Sequence, residues 1–248
     1  MKRYIGLITM LIGMFFSQQV FASSSSIFKS DLQDAAEFYK NGKYKESAEV
    51  YQNILDQKME NGAIHYNLGN AYFKNSQLGK AILEYERALR LMPRDRDVLF
   101  NLQHAESLVK GPSVDANMPW ITVKLHNFNF DEILKFFLWV LFLSGTIIIA
   151  SFFLGYSNTT RFILAGLSVV ILSATFCAMI IKKNMEHGLA ITMTQSDVKF
   201  EPRKDATTHF VVYEGTKVRI KQEVDGWHKI ERLDGKGGWI EDFAAEKI

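Results

Sequence analysis

The chain alternates between stretches that mix polar and apolar residues and stretches that are almost purely apolar. The apolar stretches are residues 5–16, 136–156 and 162–181. Before residue 110 the apolar and small residues recur at helical spacing, whereas after residue 188 short runs alternate between apolar and polar positions. This pattern predicts helices in the first part of the chain, two long apolar helices in the middle and short β-strands at the end.

The first apolar stretch lies next to the N-terminus. A basic start precedes the twelve uncharged residues 5–16, and the compact residues Val20 and Ala22 follow. This arrangement is typical of a segment that signal peptidase removes. We therefore predict a signal peptide over residues 1–22. An uncleaved anchor is the alternative, although twelve residues are short against the roughly 20 that span a bilayer.

The helical region repeats itself with a period of 34 residues. Shifting the sequence by 34 positions pairs Phe38 with Tyr72 and Tyr51 with Tyr85. The second unit resembles a tetratricopeptide (TPR) repeat, whose small residues allow two antiparallel helices to approach closely and whose final proline stops the second helix. The small residues and the proline of this unit are Gly69, Ala81, Ala88 and Pro93.

The flanking units depart from this repeat. In the first unit Ala35 stands where the glycine is expected and Asp34 replaces a large apolar residue, and the third unit ends after one helix at residues 95–109. A single final helix is typical of the cap that covers the exposed end of a solenoid. We predict an α-helical TPR solenoid over residues 23–110, built from two repeats and a capping helix.

The first helix of each unit is expected to line a concave groove. Such a groove could hold an extended peptide or a partner's helix through aromatic anchors and a few polar contacts. The alternative is that several of these aromatic residues pack between helices. The basic clamp by which some TPR proteins hold a terminal carboxylate is incomplete, so we do not predict that specificity. The partner-binding candidates are Tyr39, Lys40, Tyr66, Asn70, Phe73, Lys74, Phe100 and His104.

The two long apolar stretches have the length of membrane spans. Residues 136–156 and 162–181 contain no charged residue, and each matches the roughly 20 residues that cross a bilayer core. Residues 157–161 are just long enough for a turn, so we predict a transmembrane helical hairpin. Because the spans also lack histidine, an anchor is favoured over a transport pathway. Residues 111–135 are predicted to be a linker or a segment that lies on the membrane surface.

The orientation follows from the predicted signal peptide. Export places the repeats outside the cytoplasm, and two spans return the C-terminus to that side. We therefore predict a two-pass protein of the bacterial inner membrane with both soluble parts in the periplasm. The positive charges oppose this orientation, because Lys135, Lys182 and Lys183 would lie outside and Arg161 alone inside. The N-terminal segment usually sets the topology, so the signal peptide decides the prediction.

Short β-type runs separated by turn residues occupy residues 188–248. Residues 218–221 alternate between apolar and polar, and Asp-Gly turns follow at 225–226 and 234–235, which predicts five or six short strands in a small all-β barrel. The motifs at 215–218, 225–230 and 235–240 resemble those of the bacterial SH3-like (SH3b) family. In such a domain Trp227 and Trp239 could line a ligand groove or belong to the core, and the core interpretation is preferred.

The order of these parts resembles the Bat (Bacteroides aerotolerance) family. Its members combine an export signal, TPR repeats, paired membrane helices and, often, a C-terminal SH3-like domain. The resemblance implies a scaffold or adaptor in an aerotolerance or stress complex, with von Willebrand A-domain membrane proteins and, through them, a MoxR-type ATPase as partners. The alternative is a cell-wall sensor or anchor that binds peptidoglycan or a peptide through the SH3-like domain.

Charge and motif content argue against other classes of function. Residues 23–110 hold twelve basic and twelve acidic residues, and residues 188–248 hold ten and eleven, so no basic patch predicts nucleic-acid binding. The six histidines are scattered, and the single cysteine, Cys177, excludes a disulfide within the chain. We predict no enzyme, no catalytic residue, no metal and no cofactor.

Overall fold

The computed structural model describes residues 28–57, 61–111, 124–125 and 127–248. The predicted signal peptide and most of the predicted linker therefore lie outside the described residues. The N-terminal part is helical, and its helices are α1 (residues 28–40), α2 (Tyr44–Asp56), α3 (Gly62–Lys74), α4 (Leu78–Leu91) and α5 (Arg96–Ser107). They form two helix pairs and a single last helix, as the period of 34 residues predicts.

Local sequence signals define the ends of these helices. The side chain of Asn61 accepts a hydrogen bond from the backbone N–H of Ala63 and starts α3. The side chain of Asp95 likewise accepts from the N–H groups of Asp97 and Val98 and starts α5. Pro93 follows the end of α4 by two residues, where a proline can no longer continue the helix.

The small residues of the repeat lie where helices touch. A Cβ atom on Gly69 would come within 2.7 Å of the Tyr85 ring, so only glycine allows α3 and α4 to pack this closely. Ala81 and Ala88 are fully buried on α4. Ala35, which stands in place of the first glycine, is also fully buried, so alanine fits the corresponding contact between α1 and α2.

Two long apolar helices follow, α6 (Phe130–Phe153) and α7 (Asn158–Glu186). A capping box starts α6, because Asn129 accepts from the N–H of Glu132 while the carboxylate of Glu132 accepts from the N–H of Asn129. Both helices are long and apolar enough to cross a membrane, and almost none of their residues are buried inside the protein. Length and composition thus agree with the predicted hairpin, although α7 continues five residues beyond residue 181.

The C-terminal part is a seven-stranded antiparallel sheet of order β3-β2-β6-β5-β4-β1-β7. A short 3₁₀ helix (Asp242–Ala244) precedes the last strand. The strands are β1 (Leu189–Thr192), β2 (Ser196–Lys199), β3 (Thr208–Val212), β4 (Lys217–Val224), β5 (Trp227–Arg232), β6 (Gly237–Glu241) and β7 (Ala245–Lys247).

This sheet differs from the predicted barrel in closure and strand number. The edge strands β3 and β7 do not pair with each other, so the structure shows an open sheet and not a closed SH3-like barrel. Strands β2 and β7 are additional to the predicted runs. Each buries a single side chain, Val198 in β2 and Ala245 in β7, so neither shows the apolar alternation that identifies a strand from sequence.

The sheet packs directly against the repeat helices. Ile191 of β1 belongs to the same buried cluster as the apolar residues of α4 and α5. A Cβ atom on Gly215 would lie 2.8 Å from Ile82 and 2.9 Å from Val109, so the loop before β4 touches α4 and the end of α5 without a gap. The backbone N–H of Gly79 donates to the carboxylate of Glu214 at 2.8 Å.

These contacts change the interpretation of α5 as the cap of the solenoid. The sheet covers the exposed side of α4 and the C-terminal end of α5, where the second helix of a further repeat would pack. Lys217 of the sheet forms ion pairs there with Glu86 on α4 and, at 3.3 Å, with Glu106 on α5. The solenoid is therefore closed by α5 and the sheet together, because α5 presents a carboxylate at this position instead of a large apolar residue.

Candidate functional site

The candidate groove is formed by α1, α3 and α5, the first helices of the successive units. The rings of Phe73 on α3 and His104 on α5 contact each other with centroids 5.5 Å apart. Tyr66 and Tyr85 lie with ring centroids 6.1 Å apart. The structure thus brings the candidates Phe73 of α3 and His104 of α5 into contact, while Tyr66 packs on Tyr85 of α4.

A hydrogen-bonded network links α3, α4 and α5. The side-chain oxygen of Asn70 accepts from the hydroxyl of Tyr85 at 2.8 Å and from the side-chain nitrogen of Asn101 at 2.9 Å. The same nitrogen of Asn101 donates to the hydroxyl of Tyr66 at 3.1 Å. Within the described residues the side-chain nitrogen of Asn70 and the side-chain oxygen of Asn101 are not used by this network.

Asn101 is a residue of this surface that the sequence analysis missed. The period of 34 residues aligns it with Asn67, which is not a groove candidate. In the structure it bonds to Asn70 and Tyr66 instead. Its position between Phe100 and His104 on the same helix is the signal that could have identified it.

Burial separates the candidates into two groups. Lys40, Lys74, Phe100 and His104 are exposed, and 70% of Phe100 is accessible to solvent. Tyr39, Tyr66, Asn70 and Phe73 are half-buried, and the three aromatic residues among them also pack against the buried clusters. The half-buried aromatic residues therefore fit the interpretation of packing between helices. Among the aromatic candidates, Phe100 is the most exposed to a partner.

The comparison with known families bears on this part of the chain. The TPR repeat family matches residues 35–76, and the tetratricopeptide repeat family matches residues 62–95. The N-terminal region contains TPR repeats. No curated protein matches the chain. Because TPR repeats typically mediate contacts between proteins, the surface of α1, α3 and α5 is referred to below as the TPR groove.

Two tyrosines of the TPR region, Tyr72 and Tyr85, have raised pKa values and are therefore neutral hydrogen-bonding groups. Burial, followed by the proximity of Tyr66 and Tyr39, raises the pKa of Tyr85 well above its ordinary value. Burial, followed by the carboxylate of Glu84, raises the pKa of Tyr72 to about 12. The neutral phenol of Tyr85 bonds to Asn70, and Lys74 is exposed on the same helix as Asn70. The described residues contain no cluster of three or more His, Cys, Asp or Glu side chains that could hold a metal ion.

A second candidate surface lies on the sheet. The strand register pairs Trp227 with Glu241 and Lys229 with Trp239, while Ile230 and Ile240 lie on the opposite, buried face. Both tryptophans are half-buried on the outer face and are absent from the buried cluster of the sheet. The preferred interpretation of them as core residues is wrong, because the pleat directs the alternate residues inward.

The outer face of the sheet carries a shallow polar depression next to Trp227. Its volume is about 420 Å³, and Thr194, Asp197, Lys204, Glu241 and Phe243 contribute to its lining. The side chain of Phe243 is 66% exposed, and the ammonium group of Lys229 lies 5.8 Å from the centre of the Trp239 ring. This face presents aromatic and charged groups to solvent and is the alternative binding surface.

Proposed function

We propose that the protein is a non-enzymatic scaffold of the bacterial cell envelope that holds a partner protein in its TPR groove. The observation that carries the proposal is the surface shared by α3 and α5, where Asn101 bonds to Tyr66 and Asn70 and its neighbour on α5, Phe100, is 70% exposed. An exposed aromatic anchor near the side-chain amides of Asn70 and Asn101 suits recognition of a peptide or helix.

We further propose that α6 and α7 anchor this scaffold in the inner membrane. The packing of the sheet against α4 supports the hairpin, because two parts that touch must lie on one side of the membrane. An even number of spans between them satisfies that requirement. With a signal peptide at the N-terminus, that side is the periplasm.

The partners that we propose follow from domain order. Export signal, TPR repeats, hairpin and small β-domain occur in the order found in the aerotolerance protein BatE. This similarity supports a role in a Bat-type aerotolerance or stress complex with von Willebrand A-domain membrane proteins and a MoxR-type ATPase. The open sheet with its outward tryptophans supports the second candidate, a sensor or anchor that binds peptidoglycan or a peptide.

Two matched substitutions distinguish the candidates. Phe100→Ala removes the exposed anchor of the groove, and Phe243→Ala removes an equally exposed ring next to Trp227. Loss of such an anchor costs about 2 kcal/mol or more, which is roughly 30-fold in Kd. Full-length variants would be crosslinked in native membranes, purified by affinity tag and compared by quantitative mass spectrometry.

We expect Phe100→Ala to lose the partners that the unmodified chain recovers, while Phe243→Ala keeps them. If only Phe243→Ala failed to recover the partners, the sheet would be the binding surface, and this result would support the second candidate. Full recovery by both variants would contradict a scaffold that acts through either surface. Equal amounts of each variant in the membrane fraction are the required control.

A further inference from the structure

The membrane hairpin is attached to the soluble part at both of its outer ends. At the end of α7, the guanidinium of Arg90 donates to the carbonyl oxygen of Glu186 at 3.1 Å, and that of Arg219 donates to the carbonyl oxygens of Asn184 and Met185. At the start of α6, Arg94 forms an ion pair with Glu132. The corner between α4 and α5 is thus bonded to the start of α6 and to the end of α7.

The direction of the helices follows from the strand that continues α7. The N-terminal end of β1 lies near the end of α4. Arg90 donates to the carbonyl oxygen of Ile248, and the backbone N–H of Ile248 donates to the carbonyl oxygen of Leu189. The other end of β1 lies near the start of α4, since a Cβ atom on Gly79 would come within 2.7 Å of the carbonyl oxygen of Thr192. Helix α4 therefore runs back towards the hairpin, and α5 begins on that side and leads away.

Apolar side chains are exposed on this corner. Leu91 at the end of α4 is 41% exposed, Leu99 in the second turn of α5 is 40% exposed, and Phe128 next to α6 is 44% exposed. The Arg94 guanidinium lies 5.8 Å from the centre of the Phe128 ring. Because side chains of a helix tilt towards its N-terminus, Leu99 is directed towards the hairpin.

The sheet contacts α5 near its C-terminal end, through Val109 and Glu106, whereas Leu99 lies near its N-terminal end. Exposed leucines between a soluble surface and the ends of membrane helices lie at the depth where apolar groups enter the headgroup region.

We propose that the edge formed by Leu91, Leu99 and Phe128 rests on the outer surface of the lipid bilayer that holds the hairpin. The edge contacts the bilayer and not another protein, because both ends of the hairpin are bonded to this corner. These bonds fix the edge at the level where α6 and α7 leave the bilayer. The charges beside this edge cancel, because residues 94–97 contain two arginines and two aspartates, so the three exposed apolar side chains provide the contact. The inference rests on the proposed membrane anchor and assigns a second, peripheral membrane contact to the TPR array.

The experiment measures lipid contact at single labelled positions in the full chain. Cys177 is first replaced by alanine, and Leu99→Cys is then labelled with an environment-sensitive dye and reconstituted into phosphatidylcholine nanodiscs. Some of the lipid carries a quenching spin label either near the headgroup or at the end of the acyl chain. Leu108→Cys is the matched control, because Leu108 is 51% exposed but lies nine residues further along, about 13 Å from Leu99.

Ile147→Cys on α6 tests the anchor itself. We expect the dye at position 147 to be quenched most by the chain-end label, the dye at 99 most by the headgroup label, and the dye at 108 by neither. Quenching at 147 with equal, weak quenching at 99 and 108 would overturn the membrane-contacting edge while keeping the hairpin. No quenching at 147 would instead refute the membrane anchor.

Discussion

Lys217 offers the sharpest test of how the sheet and the repeats are joined. Its ammonium group pairs with Glu86, whose side chain is 8% exposed, and with Glu106, whose side chain is 40% exposed. Burial opposes the charge, but the two carboxylates outweigh burial and raise the pKa of Lys217 above its ordinary value. Lys217→Ala would remove the ion-pair partner of buried Glu86, which among the described residues would keep only its Coulombic interaction with Arg90.

The expected loss follows from burial. Removing one partner of a buried ion pair costs about 3–5 kcal/mol, and we expect the lower end because Glu106 regains water when the lysine is absent. With a urea dependence of about 1–3 kcal/mol per molar, a loss of about 3 kcal/mol lowers the unfolding midpoint by roughly 1–3 M. The measurement is urea unfolding of the full chain in detergent, followed by circular dichroism.

Lys221→Ala is the matched control on the same strand. Lys221 pairs with Glu231 at 3.2 Å, and both side chains are 45% exposed, so this exposed pair contributes about 0–1 kcal/mol. A midpoint for Lys217→Ala equal to that for Lys221→Ala would show that the ion pair does not hold the two parts together. The raised pKa of Lys217 keeps the ammonium group charged at neutral pH. The contribution of its ion pairs to the stability of the fold is therefore present at neutral pH and is lost as pH rises through that raised pKa.

Three further outcomes are expected. Alkaline phosphatase fused after Ile248 should be active in the periplasm and inactive when inserted at Asn158; the reverse result would invert the topology. Ala81→Trp should unfold the TPR array in a circular-dichroism melt, because overpacking a fully buried helix contact costs at least about 1–3 kcal/mol. Arg232 lowers the pKa of Asp234 to about 2, so the stability from this pair should fall as pH drops from about 4 towards 2, and Asp234→Asn should remove that pH dependence.

The helical repeats were predictable because their signal is local and periodic. Gly69 and Ala81 mark a close helix contact whose partner lies within the same 34 residues, so the pairing is visible in the sequence. Helices α6 and α7 were predictable as well, because long uncharged apolar stretches identify them in the sequence. Their ends were less predictable, because the capping box at Asn129 and the charged last turns of α7 extend the helices beyond the apolar stretches.

The contacts between distant parts of the chain were not predictable. Nothing in the sequence around Lys217 indicates that its partners are Glu86 and Glu106, more than a hundred residues earlier. The strand run at Trp227 was identified, but apolarity alone suggested the core, and the face of each tryptophan depends on its register with β6. Asn101 was missed for a similar reason, because repeat alignment cannot show which side chains meet across two helices.

The contacts of α4 suggest why the chain combines repeats, hairpin and sheet. One face of α4 packs on α3 and contributes Tyr85 to the groove network, and its last turn bonds to the end of α7 through Arg90. Glu86 on the same helix holds the sheet through Lys217. A partner seated in the TPR groove would therefore contact a surface that α4 joins to the hairpin of α6 and α7 and to the sheet. Because Arg219 and Arg94 also contact the hairpin, Arg90→Ala should leave the groove intact and remove only one of these attachments.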